Sequence, residues 1–167
     1  MRKRIRYWTH AAIIAALYTV LTHLQNMILP NSASMAIQCR LSEALSVLAL
    51  FTPAAIPGLA VGCLVFNITF AAALPLDFLV GTAATLLAAA AMWKLRNITA
   101  GDYPLAAMLM PALTNALLVG WELTVYIGGG FWINALSVAV GEAVVLLSLG
   151  SILFYAIRAR RLERFFG

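Results

Sequence analysis

Charge is scarce in this sequence. Charged residues make up 10% of the chain and hydrophobic residues 63%, where a soluble domain is about a quarter charged and about half apolar. That balance excludes an ordinary water-soluble fold. It also excludes disorder, which needs low hydrophobicity and high charge density. Cysteine and histidine are rarer still, at two each. Cys39 and Cys63 lack metal-ligand spacing and fall at different membrane levels, which predicts a free buried thiol rather than a disulfide. His10 and His23 stand alone on one segment and read as interface residues. There is no dinucleotide or phosphate-loop motif and no Ser–His–Asp set. These scarcities predict a chain without catalysis of its own, without a cofactor and without a nucleic-acid partner.

Long apolar segments are what the chain does have. A helix crosses the hydrocarbon in about 20 residues, and six segments stand out: Tyr7–Leu29, Arg40–Phe51, Ile56–Leu74, Phe78–Trp93, Pro104–Tyr126 and Phe131–Ile157. The breaks between them are polar or helix-breaking: Pro30–Gln38, Thr52-Pro53, Pro75, Lys94–Asp102 and Gly128-Gly129-Gly130. A basic start followed by an apolar run also describes a secretory signal peptide, with Ala33-Ser34-Met35 as a weak cleavage region. The run is long for that purpose, and further apolar segments follow it. Gly58-x-x-x-Gly62 offers a small-residue face for close helix packing. The expected fold is an all-α integral membrane bundle of six transmembrane helices, forming one domain over residues 1–167. The second segment is short for a span. With the N-terminus inside, every Lys and Arg except Arg40 falls on the cytoplasmic side. The positive-inside rule therefore predicts an N-in, C-in topology in a cell membrane.

An ionisable group inside a bilayer costs at least about 2.5–3.5 kcal/mol, so each asks for a partner or a ligand. On this topology Arg40, Glu43, Asn67, Asp77, Asn115, Glu122 and Glu142 gather in the outer half and near the midplane, with Trp121 and Trp132 close to the outer end. The inner half is apolar, so the distribution describes a pocket open to the outside over a closed floor, not a pore. Some of these residues have structural alternatives. Arg40 and Glu43, three apart, form either an interfacial ion pair or a binding rim closed by the Pro30–Gln38 loop. Asp77 follows Pro75 and reads as the N-cap of its helix in preference to a ligand contact. Trp132 suits a membrane belt as well as ring stacking, and Asn67 and Asn115 suit cross-helix bonds as well as ligand contact. Glu122 and Glu142 have no base within the membrane depth except Arg40 to pair with them, which leaves at least one carboxylate protonated, hydrated or reserved for a ligand and makes the two the main ligand candidates. Carboxylates, amides and indoles together suit a flat nitrogenous ligand with a guanine-like edge.

The first segment also carries Ala11/Ala15 and Ala12/Ala16, two small-residue pairs at i, i+4. They form either an internal packing face or a docking surface for a partner. A pocket open on one side cannot concentrate its ligand unaided, which leaves a receptor or a subunit that docks on a separate motor.

QCRLSEAL at Gln38–Leu45, FTPAAIPGL at Phe51–Leu59, GCLVFN at Gly62–Asn67, NALLVGWEL at Asn115–Leu123 and VGEAVVLLSLG at Val140–Gly150 resemble the QueT family. That family comprises queuosine-precursor substrate-binding (S) components of energy-coupling-factor (ECF) transporters. The resemblance implies a prokaryotic plasma-membrane protein that captures a 7-deazaguanine, the 7-aminomethyl or 7-cyano compound. It implies docking on a transmembrane T component and two ATPases, with toppling of the S component during transport. Binding roles then fall on Arg40, Glu43, Asn115, Glu122 and Glu142, and docking on the four alanines. The competing readings are an S component for another small molecule, such as a vitamin, an intramembrane enzyme lacking any evident nucleophile, or a self-sufficient facilitator.

Overall fold

The structure is a computed structural model and describes residues 2–30, 40–70 and 74–165. Among these residues every regular element is helical. Helix α1 runs Arg2–Ile28, and a 3-10 segment follows at Leu41–Leu50. Next come α2 (Ala55–Thr69), α3 (Asp77–Leu95), the short α4 (Leu105–Met108) and α5 (Met110–Tyr126). Helix α6 (Phe131–Val145) passes through a π turn (Leu146–Gly150) into α7 (Ser151–Ala159), and a 3-10 turn closes the chain at Leu162–Phe165. Four stretches are long and apolar enough to cross a membrane: Lys3–Ile28, Asp77–Leu95, Leu105–Tyr126 and Phe131–Ala159. Large apolar side chains such as Leu17, Leu24, Leu86, Leu117, Val144 and Ile152 face outward along these helices. In water that surface would be untenable, whereas lipid matches it. The protein is a multi-pass membrane protein.

The helices pack in sequence, α1 on α2, α2 on α3, α3 on α5 and α5 on α6, with the 3-10 segment touching α1, α2, α3, α6 and α7. Eight residues of that segment are buried. Ten residues at about 2.0 Å rise cover roughly 20 Å, where an α-helix would cover about 15 Å. This is how so short a segment reaches deep into the bundle.

Small residues set the closest approaches. A Cβ on Gly58 would stand 2.7 Å from the Ala11 carbonyl oxygen, and one on Gly62 would stand 2.8 Å from that of Ala15. A Cβ on Gly120 would lie 2.8 Å from Ala135 Cα, which makes the α5–α6 contact equally tight. The fifth apolar segment is broken at Leu109, not continuous from Pro104. Pro111 sits in the first turn of α5 and has no amide to continue the preceding turn. The sixth segment is likewise interrupted by its π turn, where a Cβ on Gly150 would lie 3.2 Å from both Val47 and Met108. At the Gly128–Gly130 stop, Gly128 and Gly129 adopt φ of +89° and +84°, a left-handed conformation that favours glycine.

Contacts at one end join the basic segments. Arg6 donates to the Phe165 carbonyl, Tyr7 OH donates to Pro53 O at 3.4 Å, and Arg158 donates to Asp102 O at 2.9 Å. Near this end Leu50, Ala55, Met92, Met108, Phe154 and Ile157 form an apolar core. Polar side chains collect at the other end.

Candidate ligand site

Arg40 immediately precedes the 3-10 segment and is 3% exposed. Its Nη2 pairs with Asp77 Oδ2 at 3.3 Å, its Nη1 lies 3.8 Å from Cys63 Sγ, and its guanidinium stands 5.7 Å from the centre of the Phe66 ring. The ion pair thus joins the 3-10 entrance to α3, not to Glu43. Asp77 opens α3 without capping it, since Leu76 holds the cap position and no side chain there bonds the helix amides. Asn67 Nδ2 donates to the Asp77 carbonyl at 2.8 Å and approaches Cys63 Sγ at 3.5 Å. Cys63 is a free, buried thiol, as its sequence context predicts.

Glu43 is satisfied from within the protein. Tyr18 OH donates to Oε1 at 2.5 Å, and Ser46 Oγ donates to Oε2 at 3.1 Å. Residues three apart are eclipsed in a 3-10 helix, which puts Glu43 and Ser46 in one column. Across the bundle, Asn115 on α5 donates through Nδ2 to Glu142 Oε1 on α6 at 2.6 Å. Glu142 Oε2 has no hydrogen-bond partner among the described residues. Glu122 is fully buried, and neither of its oxygens has such a partner. Asp77 Oδ1 and Asn67 Oδ1 are also unpartnered there.

These groups form one electrostatic neighbourhood. Glu122 lies within range of Asp77 and Arg40, and Glu142 within range of Glu43 and Arg40. Four carboxyl groups therefore face one guanidinium. Every unpartnered oxygen named above is a potential hydrogen-bond acceptor when the acids are ionised, so the set suits a donor-rich ligand. Leaving such groups buried without partners costs about 1–3 kcal/mol each.

The structure brings Arg40, Glu43, Asn67, Asn115, Glu122 and Glu142 into this neighbourhood, where all are nearly inaccessible rather than lining an open mouth. Trp132 is 78% exposed and does not join them, and neither does the half-exposed Trp121. The aromatic groups in the cluster are Tyr18 and Phe66 instead. Sequence reasoning passed over Tyr18, Ser46 and Phe66 and assigned Asp77 to a cap. The available signal for Asp77 was that Arg40, the one base at that level, needs an acid from a neighbouring helix. Cys39 and residues 31–39, where the rim loop was expected, lie outside the described residues. His23 bonds Thr69 Oγ1 through Nε2 at 2.9 Å, an interface role across α1 and α2.

The four alanines divide between two faces. Ala11 and Ala15 lie under Gly58 and Gly62, inside the α1–α2 contact. Ala12 and Ala16 face outward and line a shallow surface groove with Arg4, Ile5, Trp8, Thr9 and Ile13.

A multi-pass helical bundle with a buried, acceptor-rich polar cluster above an apolar core defines the class, a helical membrane protein. The chain matches the QueT transporter family over residues 8–159 and belongs to that family. It is accordingly a transporter-family protein for a small molecule, not a member of an enzyme family. No curated protein and no solved structure matches it.

Proposed function

We propose that this protein is the substrate-binding S component of an ECF-type ABC transporter, capturing a 7-deazaguanine precursor of queuosine from outside a prokaryotic cell. The observation that carries this reading is Glu122, buried with both oxygens unpartnered among the described residues, on the same helix as Asn115, which bonds Glu142. A carboxylate with two available oxygens accepts two parallel N–H bonds from a guanine-like edge. Asn115 and the second oxygen of Glu142 complete the polar contacts. Glu43 serves as a braced wall of the site, and Arg40 holds the 3-10 entrance against α3.

Six crossings with both termini inside accommodate this arrangement. The contacts among the N-terminal end, Pro53, the Asp102 loop and the C-terminal turn support placing the three basic segments and the turn at Pro53 on one side. The outward groove along Ala12 and Ala16 is the face offered to a T component, which would couple the bundle to two ATPases. The whole chain then acts as a single binding domain without catalysis, cofactor or nucleic acid.

The test is calorimetric titration of the purified, folded protein with 7-aminomethyl- and 7-cyano-7-deazaguanine. Saturable binding at one site is expected. Absence of binding to both compounds would overturn the reading, and binding of a vitamin instead would reassign the substrate.

A further inference from the structure

Helices α1 and α7 both pack against the 3-10 segment, and a groove of about 350 Å³ opens between them. Ile13 and Leu17 of α1 form one wall, Leu153 and Ile157 of α7 the other, and Leu45 and Leu48 the floor. Among the described residues, every one that lines the groove except His10 is apolar. From His10 to Leu17 the groove follows α1 for roughly 10 Å. Its basic end is closed by Leu162, which belongs to the C-terminal 3-10 turn. Arg6 ties that turn to α1 by donating to the Phe165 carbonyl.

The residues on either side of Leu162 carry charge. Arg161 and Glu163 line a second hollow, of about 490 Å³, together with Arg158 and Arg164. No carboxylate among the described residues, Glu163 included, stands at ion-pair distance from these three arginines. Arg161 also holds a φ of +51°, a left-handed backbone that favours glycine. Backbone strain of this kind collects at ligand contacts.

We propose that the groove and the hollow together bind an anionic phospholipid, with one acyl chain along the groove and the phosphate held by Arg158, Arg161 and Arg164. An acyl chain makes no hydrogen bonds, so it loses none among apolar walls. The phosphate supplies the negative charge that the three guanidiniums lack, and arginine binds phosphate through paired N–H donors. Basic pockets beside membrane helices recognise lipid headgroups in this way. The two spaces adjoin at Leu162, so one molecule fills both, its headgroup at the membrane surface and its chain inside. This site shares no residue with the polar cluster and does not depend on which ligand that cluster takes.

Native mass spectrometry of the purified protein in detergent tests it with three probes: palmitoyl-oleoyl phosphatidylglycerol, phosphatidylcholine with the same chains, and glycerol phosphate. Phosphatidylglycerol should bind at least about tenfold more tightly than phosphatidylcholine, as two or more arginines at a headgroup supply. Glycerol phosphate, a headgroup without chains, should show no binding. Arg161→Gly suits the left-handed backbone and should unfold no sooner than the wild type. Combined with Arg164→Gln, it should bring the two lipids to within about threefold of each other. Leu153→Trp fills the groove and should weaken phosphatidylglycerol at least about tenfold. Equal wild-type affinity for the two lipids overturns the site, leaving the groove to ordinary bilayer lipid or a protein neighbour. A preference that survives the arginine changes, or unaltered affinity in folded Leu153→Trp, overturns it as well. Glycerol phosphate binding as tightly as the lipid would replace it with a soluble-phosphate site.

Discussion

Tyr18 donates its hydroxyl to Glu43 at 2.5 Å, fastening the middle of α1 to the 3-10 segment. Both side chains are fully or almost fully buried, so the bond has no competing water to fall back on. Tyr18→Phe should therefore destabilise the protein by about 1.5–3 kcal/mol, the range for hydrogen bonds to charged groups. The midpoint of thermal or denaturant unfolding in detergent checks this, and an unchanged midpoint would contradict it.

Glu122 should behave in the opposite sense. Its oxygens make no hydrogen bond to the described protein, so removing them takes away an uncompensated burial cost. Glu122→Leu is expected to unfold at the same or a higher midpoint, while binding of a 7-deazaguanine is abolished. Glu122→Gln should weaken binding at least about tenfold, since an amide offers one acceptor where the carboxylate offers two. Paired unfolding and calorimetric measurements read both effects. A large loss of stability in Glu122→Leu would mean the carboxylate is structural.

Asn115 and Glu142 are coupled through a single 2.6 Å bond. Asn115→Leu leaves Glu142 Oε1 without its donor and should cost about 1–3 kcal/mol. Adding Glu142→Leu removes the stranded acceptor, so the double variant should be at least as stable as Asn115→Leu alone. Additive losses in a double-mutant cycle would show that the two residues act independently.

On α1 the alanines should separate by face. Ala15→Trp would drive a large ring into the contact with Gly62, and Gly62→Val would push from the other side. Each should cost about 1–3 kcal/mol or more in stability. Ala12→Trp and Ala16→Trp project outward instead. They should leave folding and ligand affinity unchanged while lowering uptake in cells that contain the transport motor. Full uptake by both would remove the docking role from this face.

Much of the architecture was legible because a bilayer leaves few solutions. Apolar length, proline and glycine breaks and the distribution of arginines locate the helical segments, since lipid tolerates only satisfied backbone. The grouping of acids was legible for the same reason, as each buried charge is expensive. Which acid pairs with Arg40 was not legible. Sequence spacing favours Glu43, three residues away, but the backbone turns Arg40 toward Asp77 and leaves Glu43 to Tyr18. Tyr18 reads in one dimension as another apolar position of α1, and only the packing of the 3-10 segment makes its hydroxyl a tether. The tryptophans misled because an aromatic near a membrane surface has two uses, and here both rings face outward. The kink at Leu109 was written in Pro111, while the π turn has no comparable mark in the sequence.

The 3-10 segment has a consequence for which sequence changes the site can tolerate. With three residues per turn, inserting or deleting a single residue between Arg40 and Glu43 would swing everything beyond it by roughly 120°. Glu43 and Ser46 would then point away from Tyr18, whatever the hydrophobicity of the new residue. An insertion of three would restore the direction while shifting the column lengthwise by about 6 Å. Length variation here is therefore counted in threes, whereas the α-helical walls around it drift through angles of about 100° per residue. The bundle houses its least forgiving reading frame at its centre.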